Sequence, residues 1–269
     1  MAVPASAADP DTLARGELMF SIGGCTNCHT ARGGELLAGG DPLTTPFGTF
    51  HPPNITPDSA SGIGGWSDAD FVRAMREGLS PEGEPYYPAF PFTSYTRMSD
   101  EDVIALKAWL ATVPPVVRET PGHELRFPYS VRTSLWGWRT LFFSPQRFEP
   151  DPQRSAAWNR GAYLVQGPGH CGECHTPRGA MGAMDPDRAY AGADLGGPDG
   201  QVPNITSDPE HGIGAWSDAE LRTALTLGML PDGDFIGGEM AKVVTNGTSK
   251  LPPEDLDAII TYLRSLPPR

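Results

Sequence analysis

Apolar residues recur with helical spacing in several stretches of this 269-residue chain. Val103-Ile104-Ala105-Leu106-Lys107-Ala108-Trp109-Leu110 follows the start Ser99-Asp100-Glu101-Asp102 and is closed by Pro114-Pro115. That spacing lines one face of a helix, and the prolines cannot continue it, so a helix is predicted here. Its twin runs from Pro253 to Leu263 and ends before Pro267-Pro268. Residues from about Thr12 to Ser21 predict a further helix. Ser67 and Ser217 read as N-caps, each followed by Asp-Ala and a second acid in the first turn. The two helices they open should stop at Gly78 and Gly228, glycines suited to a helix end.

The predicted helices come in pairs because the chain repeats once. Pro53-Asn54-Ile55-Thr56 recurs as Pro203-Asn204-Ile205-Thr206, and Gly62-Ile63-Gly64-Gly65-Trp66-Ser67 as Gly212-Ile213-Gly214-Ala215-Trp216-Ser217, both at an offset of 150 residues. Asn-x-Thr could be a glycosylation acceptor, but its fixed place in a repeat suits a local turn or hydrogen-bonding role better. The repeat divides the chain into an N-terminal unit, 1–115, and a C-terminal unit, 156–269. Residues 116–155 lie between them and carry Phe127-Pro128-Tyr129, Trp136-Gly137-Trp138 and Leu141-Phe142-Phe143. A flexible linker does not carry this much apolar area. The segment is expected to lie across both units, with a short helix near Val131–Phe142; the rival reading is an exposed aromatic patch for a partner.

Each unit holds one Cys-x-x-Cys-His: Cys25-Thr26-Asn27-Cys28-His29 and Cys171-Gly172-Glu173-Cys174-His175. This is the attachment signature of a c-type haem. Two thiols add to the haem vinyl groups, and the adjacent His supplies an axial nitrogen. All four cysteines of the chain lie in these motifs. Zinc half-sites or a dithiol redox pair would not call for His directly after the second Cys. Two covalently bound haem c groups are expected.

Composition sharpens this. With 32 glycines and 29 prolines, long loops and modest regular structure are expected. A hydrophobic fraction of 39% is low, and two large apolar cofactors would make up the deficit. Twenty basic against 33 acidic residues give −13, which excludes nucleic acid as a partner and suits steering toward a basic docking face. No apolar run approaches the ~18 residues of a transmembrane segment. Ala5-Ser6-Ala7 looks like the tail of a secretory signal, so an exported protein is expected.

A helix, a Cys-x-x-Cys-His, a long loop and a closing helix with an aromatic near its end resemble the class I cytochrome c fold. The expected fold is therefore all-α, two class I cytochrome c domains in tandem with long Gly/Pro-rich loops. In that family the first and last helices cross, and a Met from the loop before the last helix completes the iron. A soft thioether favours reduced iron. Gly228 to Met240 matches Gly78 to Phe90 without a gap, so Met240 is the candidate in the second unit, in the loop, with Met229 as alternative. A phenyl ring cannot ligate iron, so Met98, just before Ser99, is the candidate in the first unit. His51 is its rival; Tyr86, Tyr95 or an open five-coordinate iron stay open. The metal-ligand set is then His29, Met98, His175 and Met240. Met19 and Met75 read as core, and His123, His170 and His211 as surface or loop residues.

Thr45-Pro46-Phe47-Gly48-Thr49-Phe50, Pro53-Asn54-Ile55-Thr56-Pro57-Asp58, Tyr87-Pro88-Ala89-Phe90-Pro91-Phe92 and Gly169-His170-Cys171-Gly172-Glu173-Cys174-His175-Thr176-Pro177-Arg178 carry a wider resemblance. The chain is similar to the cytochrome c subunits of bacterial alcohol and gluconate dehydrogenase-type oxidoreductases. The resemblance implies a periplasmic electron-transfer protein rather than an enzyme. Its donor would be a separate dehydrogenase subunit carrying flavin, quinone or molybdenum; its acceptor a downstream cytochrome, oxidase or quinone. The enzymatic alternative is a dihaem peroxidase using an open first haem, and a sensor haem is a third reading. Ligation by a spare Cys is excluded, because no cysteine is left.

Overall fold

Asp9 opens the first helix of the computed structural model by accepting the Thr12 amide at 3.0 Å. The structure describes residues 9–195 and 200–269; Ala5-Ser6-Ala7, where the tail of a secretory signal is expected, lies outside the described residues. In the first unit, α1 (Pro10–Ile22) leads into α2 (Cys25–His29), then strands β1 (Leu43–Thr45) and β2 (Gly48–Phe50), α3 (Asp68–Glu77), α4 (Phe92–Tyr95) and α5 (Asp100–Leu110). The segment that follows holds β3 (Glu124–Leu125) and α6 (Ser134–Phe142). The second unit holds α7 (Ala156–Gln166), α8 (Gly172–His175), β4 (Ala193–Asp194), β5 (Gln201–Val202), α9 (Asp218–Leu227), α10 (Gly238–Asn246) and α11 (Pro253–Arg264).

The caps fall where the sequence puts them. Ser67 and Ser217 close reciprocal capping boxes with Asp70 and Glu220, and Gly78 and Gly228 end the helices at φ of 63° and 70°. The first and last helices of each unit cross at a glycine. A Cβ at Gly16 would run into the Ala105 carbonyl oxygen, and one at Gly161 into that of Ala258. Close approach lets Phe20 stack on Trp109 at 4.0 Å between centroids, and Trp158 meet Tyr262 at 5.3 Å. An ion pair pins each crossing: Arg15 Nε to the buried Asp102 at 2.5 Å, and Arg160 Nε to the buried Asp255 at 2.7 Å.

A few short strands accompany the helices of the expected all-α architecture. β1, β2 and β3 form an antiparallel ribbon in that order, and β4 pairs with β5. β-Branched Thr44 and Thr49 pair across the first hairpin, and the Thr45 hydroxyl donates to the Gly48 carbonyl at 2.8 Å, closing the turn. Helices still carry the buried core.

The aromatic segment bonds to both repeats and leaves several of its rings exposed. Arg132 donates to the Pro85 carbonyl at 2.9 Å and Trp138 to that of Met181 at 2.8 Å, so it touches both units. Leu135 is buried, while Phe127, Trp136 and Leu141 face outward. One buried apolar cluster includes Met19, Leu106 and Leu110 with Leu164, Ile259 and Leu263.

Candidate functional site

Each Cys-x-x-Cys-His folds as a single helical turn. Gly24, at φ 58°, turns the chain into α2, so Cys25 and Cys28 share a face and His29 follows. The second motif forms α8 in the same way, with Cys171 as its N-cap. All four thiols are unpaired. Burial pushes Cys25 and Cys171 up to about 12. Cys28 and Cys174 are the more exposed of each pair, and desolvation by the surrounding protein raises them too. Such thiols are not the low-pKa nucleophiles of a redox dithiol. They stand where thioether sulfurs would.

The two histidines are oriented alike. His29 Nδ1 lies 2.7 Å from the Pro53 carbonyl, and His175 Nδ1 lies 2.8 Å from that of Pro203. A carbonyl only accepts, so Nδ1 carries the proton and Nε2 keeps its lone pair. Burial lowers the pKa of both rings, holding them neutral. A neutral imidazole with a donor bond at its far nitrogen is a prepared axial ligand. Both prolines open the repeated Pro-Asn-Ile-Thr. Asn54 Oδ1 accepts from the Thr56 amide at 2.9 Å, and Asn54 Nδ2 donates to the Val116 carbonyl at 2.7 Å. Asn204 repeats the turn with Thr206 at 2.7 Å and donates to the Arg269 carbonyl at 2.9 Å. The motif thus ties each histidine's carbonyl partner to the chain beyond the last helix.

Met98 is fully buried, directly before the N-cap Ser99, and its amide donates to the Tyr95 carbonyl at 2.9 Å. Leu251 holds the matching place before α11. Met240 is half-buried, and its expected loop position is corrected: it lies in the first turn of α10. Gly237 and Gly238 make the bend there, so the helix starts early. Met229 is exposed beyond α9. Phe90 meets Tyr86 and Tyr95 edge-on, both at 5.7 Å. The His51 ring lies 3.4 Å from Glu124, and its amide donates to His123 at 3.2 Å. Burial pushes Tyr86 up to about 12. The Tyr95 hydroxyl donates to the Gly23 carbonyl at 3.2 Å.

The two motifs meet each other. His170 Nε2 contacts the same Gly23 carbonyl at 3.2 Å, and its ring lies 5.4 Å from Tyr95. It lies in a loop, as expected, and also makes an inter-unit contact. Glu173, inside the second motif, is buried and accepts from Thr93 at 2.5 Å and Ser94 at 2.8 Å of the first unit. Asn246 of α10 donates to Asn27 in the first motif at 2.7 Å. Glu239 lies close enough to add to the raised pKa of both Cys28 and Cys174. No sequence pattern announced these contacts, because each joins non-equivalent positions of the two copies.

Crossed terminal helices above a helical turn with two thiols and a carbonyl-anchored imidazole define a covalent-haem electron carrier, built twice. The cytochrome c family model matches residues 13–114 and again 159–267, and the chain belongs to that family. It is 46% identical over 258 residues to a diheme cytochrome c-type protein of Cereibacter sphaeroides, covering 94% of this chain and 85% of that one. It is 40% identical over 267 residues to the fructose dehydrogenase cytochrome subunit of Gluconobacter japonicus, covering 98% of this chain and 54% of that one. The alcohol dehydrogenase (quinone) cytochrome c subunit of Gluconacetobacter polyoxogenes is also 40% identical, over 271 residues, with coverages of 97% and 57%. The chain thus spans little more than half the length of these two dehydrogenase subunits. As a member of that family it is an electron-transfer protein with covalently bound haem c.

Proposed function

We propose that this chain is a periplasmic dihaem cytochrome. It takes electrons from a partner dehydrogenase subunit carrying flavin, quinone or molybdenum and hands them to a downstream cytochrome, oxidase or quinone. Its division runs 1–115, 116–155 and 156–269. The observation that carries the reading is the twice-built bond from a motif histidine to a proline carbonyl, 2.7 and 2.8 Å long. Relatives named as dehydrogenase cytochrome subunits support the donor class, and among the described residues no helix is long and apolar enough to cross a membrane.

Cys25 and Cys28 would hold one haem with His29 and Met98 as axial ligands; Cys171 and Cys174 would hold the other with His175 and Met240. When bound, haem iron supplies a one-electron couple. The residues around it hold Nε2 unprotonated, keep water away and fix the two attachment turns against each other.

Mass spectrometry of the holoprotein checks this directly. The mass should exceed the chain's by two haems, and Cys171→Ala with Cys174→Ala should remove one of them. A mass without covalent haem would overturn the proposal.

A further inference from the structure

We infer that Glu173, a residue of the second haem motif, is a positioning residue for the sixth ligand of the first haem. The inference rests on the reading of Met98 as that ligand.

Met98 ends a continuous turn that begins at Phe92. Amides of Thr96, Arg97 and Met98 donate to the carbonyls of Phe92, Ser94 and Tyr95 at 2.9, 3.0 and 2.9 Å. Holding Thr93 and Ser94 therefore fixes the backbone of Met98. Their hydroxyls donate to one oxygen of Glu173, at 2.5 and 2.8 Å. The other oxygen pairs with Arg178, which also donates to the Gly182 carbonyl at 2.7 Å. Glu173 is only 8% exposed. A carboxylate so far from water persists where its partners are kept in place, and here two of them come from the Met98 arm. The arm leans on the second unit again where the Tyr163 hydroxyl accepts the Ser99 amide at 3.2 Å.

The second unit returns the arrangement. Its arm, α10, carries Met240 and donates from Asn246 to Asn27 of the first motif at 2.7 Å. Each ligand-bearing arm is thus seated on the other unit's attachment turn. A disturbance at the second motif should appear in the axial ligation of the first haem.

The test uses the holoprotein with both haems counted by mass, and reads separate potentials and carbon monoxide binding to the reduced form. Met98→Ala and Met240→Ala assign the signals. Thr93→Val with Ser94→Ala removes two hydrogen bonds to a charged acceptor, and should lower the potential of the first haem and raise its carbon monoxide affinity at least about tenfold. Ligation of the second haem should stay intact. Glu173→Gln keeps an acceptor oxygen but removes a charge. It should leave ligation of the first haem as in the wild type and raise the potential of the second. If the Thr93/Ser94 variant leaves the first haem unchanged while Met98→Ala opens it, the inference is overturned and the ligand reading stands. If Met98→Ala leaves the first haem six-coordinate, the ligand reading fails and takes the inference with it.

Discussion

His29 and His175 were visible in the sequence because a histidine directly after Cys-x-x-Cys has few other uses. Their partners were not. A backbone carbonyl has no letter of its own, and only the repetition of Pro-Asn-Ile-Thr hinted that Pro53 and Pro203 mattered. The turn that Asn54 and Asn204 build explains why the repeat keeps them. His170 was illegible for another reason: its partner, Gly23, lies 147 residues away in the other unit. At this scale Met240 makes the cleanest prediction. It is half-buried on the first turn of α10, so truncation leaves the attachment thiols untouched. Met240→Ala should retain both haems by mass, lower the potential of the second and let its reduced form bind carbon monoxide, because the thioether that favours reduced iron is gone. A six-coordinate thioether spectrum after the substitution would mean that another residue ligates.

The helices capped by Ser67, Ser99 and Ser217 were legible to within about two residues, since caps, stops and apolar spacing agreed. The ribbons were not, because a three-residue strand has no period to read. The start of α10 was missed because Gly237-Gly238 reads as a loop while the chain after it is helical. The capping boxes give this scale its prediction. The Ser217 amide and hydroxyl donate to Glu220 and hold its pKa below the ordinary value of 4.5. A depressed folded-state pKa adds stability that is present above 4.5 and is lost as pH falls through the folded value. Ser217→Ala should cost about 1 kcal/mol near neutrality. Denaturant titrations of the holoproteins should show the gap between variant and wild type narrowing below pH 4.5. A gap that stays constant across that range would show that the bond from the Ser217 hydroxyl to Glu220 contributes nothing.

Two tandem units joined by a segment ordinarily move against each other unless their interface is large and apolar. Here the buried cluster is continuous across both units, and polar bonds stitch it at several places. Tyr163 of α7 donates to the buried Asp102 of α5, Asn246 reaches Asn27, and Glu173 takes Thr93 and Ser94. The repeat was plain in the sequence, but these stitches are not: Leu18 stands where Tyr163 stands, counted from the matching glycines, and carries no hydroxyl. The whole molecule should therefore unfold as one body. Guanidinium titrations of the holoprotein followed by haem absorbance and by far-ultraviolet circular dichroism should coincide. Tyr163→Phe removes a hydrogen bond to a buried carboxylate, worth about 2 kcal/mol. Combined with Asn246→Ala, it takes away two of these stitches while leaving each unit's own helix crossing, Gly16 on Ala105 and Gly161 on Ala258, untouched. In the double variant the two signals should separate, as one unit opens before the other. If they still coincide, the apolar cluster alone couples the units, and the polar stitches set the relative placement of the motifs without setting cooperativity.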